Sequence, residues 1–129
     1  MTHPNEVLMR DALAAFGRGD TDAVSQYWAE DIRWHLPGRG PLAGDYEGAA
    51  QVLGLFGRLF ELSGDTWRTE THDVLANDEH VVVLYTGRAE RAGKQLELDI
   101  AQVYRIHDGK VTEEWGYPAD LYAWDEFWS

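Results

Sequence analysis

The sequence predicts an α+β fold in which helices cover one face of a curled antiparallel sheet. Two helical segments come first, a strand and a third helix follow, and four strand-like runs then succeed one another with short turns between them. Helices followed by a meandering run of strands are typical of this class. Such a sheet curls, and it can enclose a pocket between its concave face and the helices.

Two helices are predicted before the first strand. The first starts at Pro4 or Asn5 and ends near Gly17, because apolar residues recur between them at helical spacing. Asp20 is a favourable N-cap residue, so a short second helix follows it, with Trp28 on its apolar side.

A strand, a loop and a third helix come next. Residues 32–36 alternate apolar and polar side chains, which predicts a strand. Residues 37–44 hold two prolines and three glycines and are therefore a loop. Together with Tyr46 this loop either rims a pocket, with Tyr46 reaching a ligand, or serves as a plain connector. The third helix covers residues 47–62, and Gly64 lies just past its end.

Four antiparallel strands are expected in the rest of the chain. The Asp108–Gly109 pair is a strong hairpin signal between the last two of them. A helical turn is expected from Asp120 onwards. The four predicted strands cover residues 67–76, 80–90, 96–106 and 111–117.

The composition is that of an ordinary globular protein. Its 129 residues fit one domain spanning residues 1–129, and this length allows a sizeable core. The net charge of −12 argues against nucleic acid, which is bound largely through Lys and Arg, and against anionic membranes. The absence of cysteine excludes disulfide and thiolate chemistry. No signal peptide and no apolar run of about 20 residues is visible, so a cytoplasmic protein is expected.

Gln102 is the single amide on an otherwise apolar or aromatic strand face. Alternate side chains of a strand share one face. That face carries Leu96, Leu98, Ile100, Gln102, Tyr104 and Ile106. A buried polar group without a partner costs roughly 1–3 kcal/mol. Gln102 therefore either bonds a neighbour in the core or faces a ligand in a cavity, and the pattern leaves both open.

The order of elements and several short motifs resemble a known superfamily. The motifs are the Gly19–Asp20 break, Ala29-Glu30-Asp31 before the first strand, and the run from Tyr104 to Val111. Together they resemble the nuclear transport factor 2-like superfamily, and within it the SnoaL-like and ketosteroid isomerase-like proteins. The resemblance implies a cone-shaped curved sheet with three helices packed on its concave face, a cystatin-like α+β barrel with a deep pocket. It also implies a homodimer built through the outer sheet face.

The superfamily includes isomerases, dehydratases, epoxide hydrolases, polyketide cyclases and non-catalytic binders, so the fold alone does not decide function. The carboxylate base of ketosteroid isomerases falls on Leu36 and their oxyanion tyrosine near Ala12, so both are missing. Their second oxyanion donor falls on Gln102, whose amide can still donate a hydrogen bond. The last Asp of the limonene-type epoxide hydrolase relay falls near Gly116. Asp120 is nearest to the Asp of SnoaL-like cyclases, although an N-cap role explains it better.

Two histidines are candidate proton carriers, because histidine titrates near neutral pH. Alternation places His35 on the face opposite Trp34 and Leu36, so an outward position is favoured for it. His72 has an ambiguous direction. The spacing of His35 and His72 does not support a metal site, and neither a metal nor an organic cofactor is expected.

A set of apolar, aromatic and small residues is expected to line the pocket, although a filled core is the commoner role for such residues. Gly116 favours a cavity, because a missing side chain makes room. The candidate pocket wall consists of Trp34, Leu36, Tyr46, Phe56, Phe60, Val83, Tyr85, Tyr104 and Gly116.

The sequence thus predicts an enzyme that transfers a proton on an apolar polycyclic or polyketide-like substrate, as an isomerase, cyclase or dehydratase. Gln102 would polarise a carbonyl, and His35, His72 or Asp120 would move the proton. A binding protein for a small apolar ligand and a dimerisation module with a filled core are the alternatives. A histidine or carboxylate within about 3–4 Å of the Gln102 amide would favour catalysis.

Overall fold

The computed structural model describes residues 2–129, which form four helices and six strands. In chain order the elements are α1 (Pro4–Gly17), α2 (Thr21–Ser25), β1 (Trp28–Leu36), β2 (Gly44–Glu47), α3 (Ala49–Leu62), β3 (Arg68–Ala76), β4 (His80–Arg91), β5 (Lys94–His107), β6 (Lys110–Pro118) and α4 (Leu121–Trp128).

The six strands form one curved sheet in the order β2-β1-β6-β5-β4-β3. The α+β prediction is therefore confirmed. Neighbouring strands pair antiparallel except β1 and β6, which run parallel. The four strands expected to be antiparallel, β3 to β6, pair antiparallel in the structure, and β1 joins the sheet parallel to the last strand.

Two local predictions are corrected by the structure. Trp28 begins β1 instead of lying on a helix, because α2 ends at Ser25 and Tyr27 accepts a backbone hydrogen bond from Val111 of β6. The segment expected to be a loop continues into the short strand β2, in which Asp45 pairs with His35 of β1.

The helices bury one apolar face against the concave side of the sheet. On α3 this face consists of Val52, Leu55, Phe56 and Leu59, which recur at helical spacing and are almost fully buried. The C-terminal segment forms the two-turn helix α4, whose Trp124, Phe127 and Trp128 are also buried. Within residues 2–129, no helix combines the length and the apolar character needed to cross a membrane.

Candidate functional site

A cavity of about 100 Å³ lies between the concave face of the sheet and helices α1, α3 and α4. This volume is several times the roughly 10–15 Å³ that one water molecule occupies by a comparable measure. The lining is mostly apolar, and its aromatic members are Phe16, Trp28, Trp34, Phe56, Trp67, Tyr85, Tyr104 and Trp124. Thr69 and Thr71 of β3 line the cavity and are also exposed, so the cavity reaches the surface beside this strand.

Gln102 joins the wall of this cavity to a buried carboxyl group. Its Nε2 donates a hydrogen bond to Glu114 Oε2 at 2.6 Å. Its Oε1 accepts a hydrogen bond from the Tyr104 hydroxyl at 2.9 Å. Tyr104 therefore orients the amide, with the NH₂ group towards Glu114. An amide nitrogen carries two hydrogens, so one N–H of Gln102 is left after the bond to Glu114.

Glu114 is fully buried, with 0% of its surface exposed. Burial raises its pKa well above the ordinary value of 4.5, although the hydrogen bonds from Gln102 and from the His35 backbone act in the opposite direction. Burial therefore favours the neutral, protonated form of the carboxyl. Oε2 accepts from Gln102, whereas Oε1 has no hydrogen-bond partner within the described residues.

Strand register places Glu114 on the concave face. Glu114 of β6 lies opposite Trp34 of β1 and opposite Tyr104 of β5, and both of these neighbours line the cavity. Tyr85 of β4 lines it as well, and burial raises the pKa of the Tyr85 hydroxyl. The carboxyl thus lies among cavity-lining aromatic side chains.

A β-bulge explains why the sequence pattern did not single out Glu114. Val111 pairs with Ile106, and Glu113 pairs with Arg105, so Thr112 is the extra residue on β6. The bulge reverses the alternation after Val111, which turns Glu114 inwards and Trp115 outwards. A signal for this position comes from the resemblance to the superfamily, which implies that Glu114 and Gly116 of the last strand face the pocket.

His35 lies on the opposite face of the sheet from the cavity. Its Nδ1 is 2.7 Å from Asp45 and its Nε2 is 2.6 Å from Glu113, and its ring stacks on Trp115. Burial lowers the pKa of His35, but the hydrogen bonds to Asp45 and Glu113 outweigh this effect and raise it above 6.5. His35 therefore points outward, which is the direction that the alternation of side chains favours.

His72 and Asp120 also lie away from the cavity lining. The Nε2 atom of His72 is 2.6 Å from Thr86 Oγ1, and this hydroxyl donates to Asp99. Asp120 caps the N-terminus of α4 by accepting a hydrogen bond from the backbone N–H of Ala123. Neither side chain is brought near Gln102.

Some of the residues expected to line the pocket do line the cavity, and the others lie around it. The residues that line the cavity are Trp34, Leu36, Phe56, Tyr85 and Tyr104. Val83 is fully buried beneath the lining, and Phe60 packs on Phe16. The Tyr46 hydroxyl donates to the carbonyl oxygen of Leu42. Gly116 leaves space beside the carboxyl, since a Cβ there would lie 4.0 Å from Glu114 Oε2.

Within residues 2–129, no three His, Asp or Glu side chains converge to hold a metal ion. The polar residues of the cavity lining are Gln102, Tyr104, Tyr85, Thr69 and Thr71, and the carboxyl of Glu114 lies behind Gln102. Such a set can donate hydrogen bonds and exchange a proton.

Comparisons with known proteins agree with this architecture. A family model described as the SnoaL-like domain matches residues 9–114. An uncharacterized protein of Mycobacterium tuberculosis is 34% identical over 123 residues, which cover 95% of this chain and 94% of that protein.

Among solved structures, Bal32a from a soil-derived mobile gene cassette is 35% identical, with a TM-score of 0.93 and coverage of 98% of this chain and 97% of that one. A protein from Xanthomonas campestris with a cystatin-like fold is 26% identical, with a TM-score of 0.89 and 95% of each chain covered. A protein from Xanthomonas campestris pv. campestris proposed to be a polyketide cyclase is 25% identical, with a TM-score of 0.69 and coverage of 95% and 94%. The predicted cystatin-like fold is confirmed.

Proposed function

We propose that this chain, which belongs to the SnoaL-like domain family, is an enzyme. It transfers a proton on a small, largely apolar molecule. The reaction class is isomerisation, cyclisation or dehydration. The observation that carries the proposal is the buried Glu114 carboxyl, 2.6 Å from the amide of a residue that lines an aromatic cavity. A carboxyl with a raised pKa is suited to exchange a proton near neutral pH.

Each polar side chain has a distinct role in this proposal. Glu114 is the proton carrier and takes the place that the sequence had offered to His35, His72 or Asp120. The second N–H of Gln102 donates to a carbonyl oxygen of the substrate and stabilises the negative charge that develops there. Tyr104 is a positioning residue, because its hydroxyl fixes the direction of the Gln102 amide.

The substrate we propose is polycyclic or polyketide-like. Its support is the lining, in which eight aromatic side chains surround few polar groups. The likeness to a protein proposed to be a polyketide cyclase agrees with this substrate class. A non-catalytic binder of the same kind of ligand is the alternative. Its support is that Leu36, which lines the cavity, stands where ketosteroid isomerases have their carboxylate base.

The test uses 5-nitrobenzisoxazole, a small aromatic whose isoxazole ring opens when a carboxylate removes the proton on the carbon of that ring, the nitrile forms and the N–O bond breaks to leave a phenolate. We expect saturable turnover by the wild type, rising with pH as Glu114 ionises. Glu114→Gln keeps an oxygen to accept from Gln102 but cannot carry the proton, so its rate falls by about 10²-fold or more.

Asp120→Asn is the matched control, because it changes a carboxyl outside the cavity lining. Its rate should equal that of the wild type. Equal rates for the wild type and Glu114→Gln, with binding of the probe retained, would contradict catalysis by Glu114 and support the binding protein.

We also propose that the outer sheet face forms a homodimer and that the protein acts in the cytoplasm. The support for the dimer is a cross-strand apolar row formed by Leu84, Ala101 and Tyr117, of which Leu84 and Tyr117 are 38% and 57% exposed. Leu84→Glu should convert a dimer into a monomer in sedimentation equilibrium, whereas a monomeric wild type would contradict this part of the proposal.

A further inference from the structure

We propose that Trp67, seated on Gly87, is the end wall that limits the length of the molecule the cavity accepts. The inference rests on the proposed function only in taking this cavity as the ligand site. Trp67 precedes β3, lines the cavity and is 5% exposed. Its ring therefore separates the cavity from the part of the core behind it.

The Trp67 ring can lie where it does because residue 87 is a glycine and has no side chain. A Cβ added to Gly87 would lie 2.6 Å from Trp67 Cη2 and 3.2 Å from two further ring carbons. The ring thus lies directly against the backbone of β4. The concave face of this strand carries Tyr85, then Gly87, then Ala89, so side-chain size decreases where the tryptophan is accommodated.

Hydrogen bonds on both sides hold the backbone of Trp67 in place. Thr66 Oγ1 donates to the carbonyl of Ser63 at 2.6 Å and accepts from the N–H of Glu90 at 2.8 Å. Arg68 donates to the carbonyl of Trp67 itself at 2.7 Å. The backbone that carries the Trp67 side chain is therefore held firmly in place.

Other aromatic rings support Trp67 from the side of α4. Trp124 meets it edge to face with ring centroids 6.1 Å apart, and Trp128 lies 6.2 Å away. Both supporting rings are buried. A ligand cannot displace Trp67 without disturbing this packed cluster.

The end wall lies at a fixed distance from the polar group of the site. Gln102 pairs with Val83 on β4, and Gly87 is four residues further along that strand. At 3.3 Å per residue the two positions are about 13 Å apart along the backbone. A molecule whose carbonyl meets Gln102 therefore has its far end facing Trp67.

The experiment measures binding of benzyl alcohol, 2-naphthylmethanol and 2-anthracenemethanol by calorimetry. Trp67→Leu removes the end wall, so the three-ring alcohol should bind about tenfold more tightly than to the wild type. Gly87→Ala forces the ring towards the cavity, so the two-ring alcohol should bind about tenfold more weakly while benzyl alcohol is little changed.

Gly57→Ala is the matched glycine control, because a Cβ there meets no atom within 4 Å. Its affinities should equal those of the wild type. Thermal unfolding shows whether each variant folds. If Trp67→Leu does not fold, the weaker binding of the two-ring alcohol by Gly87→Ala tests the proposal. Unchanged size preference in the folded variants would overturn the proposal. Because no turnover is measured, a failure of proton transfer would leave this result intact.

Discussion

Replacing Gln102 by leucine should destabilise the protein, because Gln102 satisfies two buried groups at once. The Tyr104 hydroxyl would lose its acceptor, and Glu114 Oε2 would lose its donor. Each buried group left without a partner costs roughly 1–3 kcal/mol, so the loss in the free energy of unfolding should be about 2–6 kcal/mol. Urea unfolding followed by tryptophan fluorescence measures it.

Gln95→Leu is the matched control on the same strand, because Gln95 is exposed and should change stability by only about 0.5 kcal/mol or less. Adding Glu114→Leu to Gln102→Leu should recover part of the loss, since replacing both partners of a hydrogen bond by apolar groups is often nearly neutral. A Gln102→Leu variant as stable as Gln95→Leu would refute the hydrogen-bonded network.

Three further predictions concern single side chains and are checked by urea unfolding across pH. Because the pKa of Glu114 is raised by folding, the native state keeps a proton that the unfolded chain releases above pH 4.5, so Glu114 costs stability as pH rises. Glu114→Gln should therefore gain on the wild type above pH 4.5, and a constant difference would contradict this. The raised pKa of His35 has the opposite consequence: its contacts with Asp45 and Glu113 stabilise the protein fully below pH 6.5, and this contribution fades as pH rises through the folded pKa. His35→Gln should accordingly lose most stability at acidic pH, and a larger loss at pH 9 would count against it. Asp120→Ala should cost about 1 kcal/mol through the lost N-cap, and no measurable cost would exclude the cap as a source of stability.

Much of the fold could be predicted because alternation and turn residues are local signals. The strands that became β3 to β6, and the inward direction of Gln102, follow from a period of two between clear turns. The parallel pairing of β1 with β6 could not be predicted in this way, since it depends on residues far apart in the chain. The strand β2 was hidden because Gly44 and Asp45 are weak strand formers, and it exists through its pairing with β1.

The candidate site shows the same division. Alternation identified Gln102, whereas its partner Glu114 was obscured by the extra residue Thr112, which reverses the inward and outward positions along β6. His35 and His72 are candidate proton carriers by residue type, because histidine titrates near neutral pH. The directions of their side chains, however, are decided by hydrogen bonds to residues of other strands. The pKa of Glu114 is raised by burial, and residue type alone does not indicate burial.

Because burial raises the pKa of Glu114 behind the cavity wall, the titration of this carboxyl is the decisive measurement. Carbon-13 NMR of the glutamate carboxyls, with the Glu114 signal assigned by its loss in Glu114→Gln, gives the pKa of this group. We expect a midpoint well above 4.5. A midpoint at or below 4.5 would contradict this expectation.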